Sequence, residues 1–186
     1  MIKPELSIVM PIYNEGKTIL KTTKELTKEL KKNKIDYEII LVNNGSKDDT
    51  DLYIKKLIKE NKRIKRVHVI KNEGYGWGII NGLKAVKGKY IGYIDSDSQI
   101  RPVDVISCLN YLKTHPNTGM CKGEGKQKHG ALKRKFVSHI FDFIFTMFFF
   151  RYIKNINAKP KIMKKEVLEK LNLKSKEWFI DSEIII

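Results

Sequence analysis

At 186 residues the chain is long enough for one sizeable core and one active site. Its 37 Lys and Arg against 21 Asp and Glu leave a formal charge of +16, which favours anionic partners such as nucleotides, nucleic acid or acidic headgroups without choosing among them. Cys108 and Cys121 lie in unrelated segments, which excludes a disulfide framework or a cysteine zinc site and fits a reduced cytosolic compartment.

Residues 6–12 (LSIVMPI) are a short apolar run closed by Tyr13, Asn14, Glu15 and Gly16, the pattern of a buried strand. This opening lacks a signal-peptide layout, so the chain is expected not to be exported. From about 17 to 33, Ile19, Leu26 and Leu30 recur at near-helical spacing and predict one apolar stripe laid on a sheet. Residues 37–42 predict a second strand, and NNGS a turn in which Ser46 caps a helix over 47–60 that buries Tyr53, Ile54, Leu57 and Ile58. A third strand is expected at 67–70, then a glycine-rich segment, then a fourth strand at 90–94. Pro102 opens a helix to about 114 with Val103, Ile106, Leu109 and Leu112 inward, and 120–122 read as an edge strand. Beyond them, 123–130 read as a polar loop and 140–150 (IFDFIFTMFFF) as an aromatic helix with basic flanks. That helix is too short to span a bilayer; it lies in a membrane interface or packs in a core.

Alternating strands and helices with short connections predict an α/β protein with a mainly parallel, doubly wound sheet and flanking helices. Ligands of such sheets sit beyond the carboxyl ends of the strands. There the fourth strand delivers Asp95, Ser96, Asp97 and Gln99. Paired carboxylates at that place suit Mg²⁺ or Mn²⁺ shared with substrate phosphates. At the first strand's end, Pro11, Tyr13, Asn14 and Glu15 offer an aromatic face and polar groups for a base or ribose. Asn43 and Asn44, at the second strand's end, can bond a base edge or serve the turn. Gly74 and Gly76 begin a run whose amides either meet phosphate or sugar at a helix start or permit close helix-to-sheet packing.

Taken in order, SIVMPIYNE, VNNGSKDDT and NEGYGWGIINGLKAVKGKYIGYIDSDSQIRP resemble the family 2 glycosyltransferases of GT-A fold, within them the polyprenyl-phosphate (dolichol-phosphate) mannosyl- and glucosyltransferase-like group. The likeness covers residues 7–102, and NAKPKIMKKEVL and WFIDSEIII are similar to the family's acceptor-side segments. It implies that Tyr13 and Glu15 contact the nucleotide, Asp95 the ribose or metal, and Asp97 with Gln99 the metal, with Arg134 and Lys161 near phosphate. Two features depart from the family's usual pattern: Asn43 and Asn44 stand where it has an acidic pair, and Lys122 where it has an arginine.

The expected reaction is inverting, in-line displacement at the anomeric carbon of a GDP-mannose or UDP-glucose type donor, with a polyprenyl or dolichyl phosphate as acceptor. Such a phosphate is already anionic near neutrality; a saccharide hydroxyl would instead need a base, for which Asp181 and Glu183 are the candidates. Lys122, Lys126, Lys128, Lys133 and Arg134 are expected to gather acceptor phosphate and anionic headgroups. This places a single domain over 1–186, donor-binding to 118 and acceptor-side from 119, peripherally at the cytoplasmic face of a membrane. Rival readings are a non-catalytic nucleotide-sugar-binding protein and a nucleic-acid module. The latter has no motif in its favour, and no nucleic-acid partner is expected.

Overall fold

The computed structural model describes residues 3–124, Met147 and residues 153–186. The elements in chain order are β1 (Leu6–Ile12), α1 (Thr18–Lys32), β2 (Tyr37–Asn44), α2 (Thr50–Glu60), β3 (Ile64–Val69), α3 (Tyr75–Leu83), β4 (Tyr90–Tyr93), α4 (Pro102–Thr114), β5 (Met120–Lys122) and β6 (Lys161–Lys164), followed by the short helices α5 (Lys165–Leu168) and α6 (Ile180–Glu183). They form a six-stranded sheet in the order β3-β2-β1-β4-β6-β5. The first four strands in sequence run parallel, with Leu6 beside both Tyr37 and Tyr90, whereas β6 is antiparallel to β4 and β5. All four parallel strands therefore end on one edge of the sheet.

The alternation of side chains along a strand builds two apolar layers. Leu6, Ile8, Met10 and Ile12 of β1 join Ile39 and Leu41 of β2 under α1, α2 and α4, contributed as Leu26, Leu30, Ile54, Leu57, Leu109 and Leu112. On the other face, Val9, Ile40, Val42 and Ile91 meet Ile79 and Leu83 of α3 and Ile180 and Ile184 at the end of the chain. With both faces covered, β1 and β2 are buried throughout, as central parallel strands must be. α3 lies very close to the sheet: a Cβ at Gly82 would stand 2.3 Å from Val9 Cγ1, and one at Gly78 would stand 3.0 Å from Pro11 Cβ.

Several local expectations are corrected. α2 begins at Thr50, not at 47, and Ser46 does not cap it. The Ser46 hydroxyl accepts from the Asn14 amide at 3.1 Å instead, and Asp48 Oδ1 accepts from the Thr50 amide at 3.1 Å. Tyr53 and Ile58 are only partly buried. Pairing with β2 from Ile39 to Asn44 sets β3 at Ile64–Val69, three residues ahead of the apolar run, and leaves Ile70 90% exposed. In α4 the inward face is Val105, Ile106, Cys108, Leu109 and Leu112. Helical spacing back from Leu109 and Leu112 reaches Val105 and Cys108, and Val103 stays exposed. The cysteines, unrelated in sequence, share a thiol–thiol hydrogen bond between α4 and β5. That bond and burial push the Cys108 thiol up, while the same bond pulls Cys121 down. No helix among the described residues is long and apolar enough to cross a membrane.

Candidate active site

The carboxyl edge of β1, β2 and β4 carries the acidic and aromatic groups singled out in the sequence. After β1 the chain turns through Asn14 at φ 54°. The turn is pinned to the β2–α2 loop: Asn14 Oδ1 accepts from the Lys47 amide at 2.8 Å, and the Glu15 and Gly16 amides donate to Thr50 Oγ1 at 3.0 and 2.9 Å. Tyr13, next in the chain after β1, is left 46% exposed. After β4 the loop is tied to α1, where Thr22 Oγ1 donates to Ser96 O at 2.9 Å and meets Ser98 Oγ at 2.6 Å. Ser96 is thereby buried.

These anchors bring Glu15, Asp48, Asp95 and Asp97 into one electrostatic cluster. Burial raises the Glu15 pKa, and the facing carboxylates of Asp97, Asp48 and Asp95 raise it further. Burial also pushes Asp95 up, opposed by Lys159 and the Tyr75 hydroxyl and reinforced by Asp97 and Asp181. Asp95 is held on both sides, with Tyr75 OH donating to Oδ1 at 2.5 Å and Lys159 Nζ 3.9 Å from Oδ2. Asp97 Oδ1 accepts from the Gln99 amide at 3.0 Å, and the Gln99 side chain is exposed. Four carboxylates gathered on one edge of the sheet favour a divalent cation there. The donor set is all oxygen, so Asp97, Asp95 and Gln99 fit Mg²⁺ or Mn²⁺. Among the described residues no three Asp, Glu, His or Cys side chains form a ready-made cage.

Other candidates are committed to the fold. Pro11 is buried against α3. Asn43 and Asn44 extend β2 and are 1% and 2% exposed. Asn43 bonds the Ser46 amide and Asp51, and Asn44 donates to Gly74 O at 2.9 Å and to Asn72, so neither amide reads a base edge. The expected amide cradle at Gly74 and Gly76 is filled by protein: a Cβ at Gly76 would stand 2.2 Å from Ser175 O, and one at Gly74, where φ is 113°, would stand 2.4 Å from Lys176 O. These glycines admit the 175–177 backbone, and Trp77 N donates to Lys176 O at 2.9 Å.

On the acceptor side, Lys161 is fully buried and paired with Asp181, which removes it from any phosphate. Asp181, also fully buried, accepts from Lys161, from Tyr93 OH at 2.7 Å and from Lys159 Nζ at 2.7 Å. Its candidacy as a base is spent on this cluster. Glu183 takes the Lys174 and Ser175 amides at 2.9 and 2.8 Å; burial opposes its ionisation, but those bonds outweigh it and lower the pKa. Lys122 Nζ donates to the Lys154 and Asn155 carbonyls, closing the return of the chain. Lys126, Lys128, Lys133, Arg134 and the 140–146 and 148–150 stretches of the aromatic run lie outside the described residues. Sequence reasoning missed Asp48, Tyr75 and Lys159. Asp48 had a signal in lying after a strand that ends on the same edge, whereas Lys159 stood out only as part of the NAKPKIMKKEVL segment, and its approach to Asp95 depends on the antiparallel return into β6.

The glycosyl transferase family 2 model matches residues 7–171. The chain belongs to that family. An uncharacterized protein of Methanocaldococcus jannaschii is 31% identical over 87% of this chain and 72% of its own length. The dolichyl-phosphate beta-glucosyltransferase of Saccharomyces cerevisiae is 27% identical over 97% of this chain and 61% of its own length. Among solved structures, glucosyl-3-phosphoglycerate synthase of Mycobacterium tuberculosis, in complex with Mn²⁺, UDP and phosphoglyceric acid, superposes with a TM-score of 0.77 at 19% identity, over 98% of this chain and 63% of that one. The fold is the GT-A arrangement expected from the sequence. This family 2 chain thus spans 72%, 61% and 63% of the lengths of these three proteins.

Proposed function

We propose that this chain transfers a hexose from a nucleotide-diphosphate sugar, of GDP-mannose or UDP-glucose type, to a polyprenyl or dolichyl phosphate presented at a membrane surface. The observation that carries this reading is the convergence of Glu15, Asp48, Asp95 and Asp97 on the carboxyl edge, beside the exposed Tyr13 ring. The family and the dolichyl-phosphate beta-glucosyltransferase relative support it. The part up to residue 118 holds the donor and the part from 119 faces the acceptor.

In this reading the Tyr13 ring stacks on the base and Glu15 accepts from the ribose hydroxyls. Tyr75 and Lys159 fix the Asp95 carboxylate, leaving Asp97 and Gln99 as the freer oxygen ligands. When bound, Mg²⁺ or Mn²⁺ supplies neutralising charge for the departing diphosphate. The protein's own part is positioning, so that the acceptor oxygen lies in line with the anomeric carbon and the product is inverted. With Asp181 and Glu183 both engaged by other groups, an acceptor that is already ionised suits the site better than a hydroxyl.

A screen of UDP- and GDP-sugars with a polyprenyl phosphate, with and without Mn²⁺, tests the proposal. Turnover with one donor, lost by about a hundredfold or more in Asp97→Ala, is expected from removal of an electrostatic ligand. No turnover with any donor, or full activity in Asp97→Ala, would end this reading. Donor binding without turnover in calorimetry would point instead to a binding protein.

A further inference from the structure

At the opposite, amino edge of the sheet lies a groove of about 760 Å³ between the end of α1 and the starts of β1, β2 and β3. β1 is seven residues long, so this edge stands about 20 Å from the candidate active site at ~3.3 Å per residue. The lining holds seven basic side chains against two carboxylates. Both carboxylates are already occupied. Asp36 pairs with Arg63, whose guanidinium also lies 5.4 Å from the centre of the Tyr37 ring, and Glu38 pairs with Lys65 while accepting from Ser7 Oγ at 2.6 Å and the Lys87 amide at 2.6 Å. Lys3, Lys31, Lys34, Lys62 and Lys87 remain, exposed and without an acidic partner among the described residues.

We infer that this groove is a second, non-catalytic site for a soluble oligophosphate. Five lysines line this one concavity, where their like charges repel one another, and nothing in the core requires them there. A ligand carrying several adjacent phosphate charges relieves that repulsion. Lysines suit it because they act as adjustable point charges where no single planar carboxylate has to be gripped. The floor of Pro4, Ile35 and Tyr37 is nonpolar and partly or fully buried, so the ammonium groups stand on a low-dielectric base that strengthens their field. A bilayer is the weaker source of the same phosphate chemistry, because one docked here would hold the carboxyl edge away from a membrane-bound acceptor.

The test is calorimetric titration with sodium tripolyphosphate in metal-free buffer, where the acidic cluster does not retain it, alongside flotation with phosphatidylglycerol vesicles. Four proteins are compared: the wild type, Lys34→Glu/Lys62→Glu, the milder Lys34→Gln/Lys62→Gln, and Lys56→Glu/Lys170→Glu, which matches the first double variant in charge but lies outside the groove. Ligand-free melts check that each is folded. The expected result is at least a tenfold loss of tripolyphosphate affinity in the Glu pair, a smaller loss in the Gln pair, and less than a threefold loss in the control. Equal losses in both charge-reversed pairs would reduce the effect to net charge and overturn the site, as would no binding to the wild type. Groove-dependent vesicle capture without tripolyphosphate binding would overturn the soluble ligand in favour of lipid headgroups. None of these residues lies on the carboxyl edge, so failure here leaves the transferase reading untouched.

Discussion

Asp181→Asn leaves two buried ammonium groups, Lys159 and Lys161, facing a neutral amide of the same shape. In the native protein Asp181 is fully buried and serves both lysines and the Tyr93 hydroxyl, while the lysine side chains are 4% and 0% exposed. Removing the anion from such a pair costs about 3–5 kcal/mol, because Lys161 is then left with neither water nor a carboxylate while Lys159 keeps only Asp95, at 3.9 Å. Lys161→Met acts differently: Asp181 keeps Lys159 and Tyr93, the volume is nearly conserved, and the loss stays below about 1.5 kcal/mol. At ~2–4 °C per kcal/mol for a chain of this size, melting drops by roughly 6–20 °C in the first variant and by a few degrees in the second. Urea denaturation at pH 7 measures both. Equal losses, or less than about 1 kcal/mol for Asp181→Asn, would refute the claim that this aspartate is the shared counter-ion.

The same cluster sets a pH dependence. Burial lowers the Lys161 pKa to about 8 despite Asp181, whereas the unfolded value is about 10.4. Between those values the unfolded chain binds more protons, so the handicap of burying a charged lysine is full below pH 8 and is relieved as pH rises towards about 10.4. Wild type should therefore gain stability relative to Lys161→Met across that window, by at most about 3 kcal/mol; a gap that stays flat or narrows contradicts the assignment. Gly82→Ala should cost about 1–3 kcal/mol from overpacking, since its Cβ meets Val9 Cγ1 at 2.3 Å and Val42 Cγ2 at 2.8 Å, and a melt at or above the wild-type value would show that α3 can retreat. Iodoacetamide followed by peptide mass mapping should label Cys121 before Cys108, because Cys108 is buried with its thiol pushed up while Cys121 is half-buried with its thiol pulled down; the reverse order counts against the shared hydrogen bond.

Local pattern sufficed where one stretch of chain decides its own state. The run at 6–12, the stripe of Ile19, Leu26 and Leu30, and the bounds of the helix opened by Pro102, though not its expected inward Val103, stand as read, because a buried strand or an amphipathic helix needs only its own periodicity. The edge strand at 120–122 and the parallel arrangement were legible in the same way. Asp95 and Asp97 were found because a parallel sheet puts the ends of its strands on one side. Ends of elements were less legible: β3 starts at Ile64 because β2 offers it partners from Ile39 onward, and those partners lie 25 residues away in sequence.

Side-chain roles followed a different rule. A polar residue near a strand end is free for a ligand only if no other part of the chain has claimed it, and most such claims here come from distant segments. Asn43 and Asn44 are taken by the following loop and by residues 72–74, Gly74 and Gly76 by 175–177, and Lys161 by Asp181. Sequence by itself determined the α/β order, the carboxyl edge and the carboxylates on it, since these follow from periodicity and chain direction. Only the tertiary structure decided which polar groups remain available there, because burial, together with hydrogen bonds and ion pairs that mostly span twenty or more residues, claims donors and acceptors that look open in the linear chain.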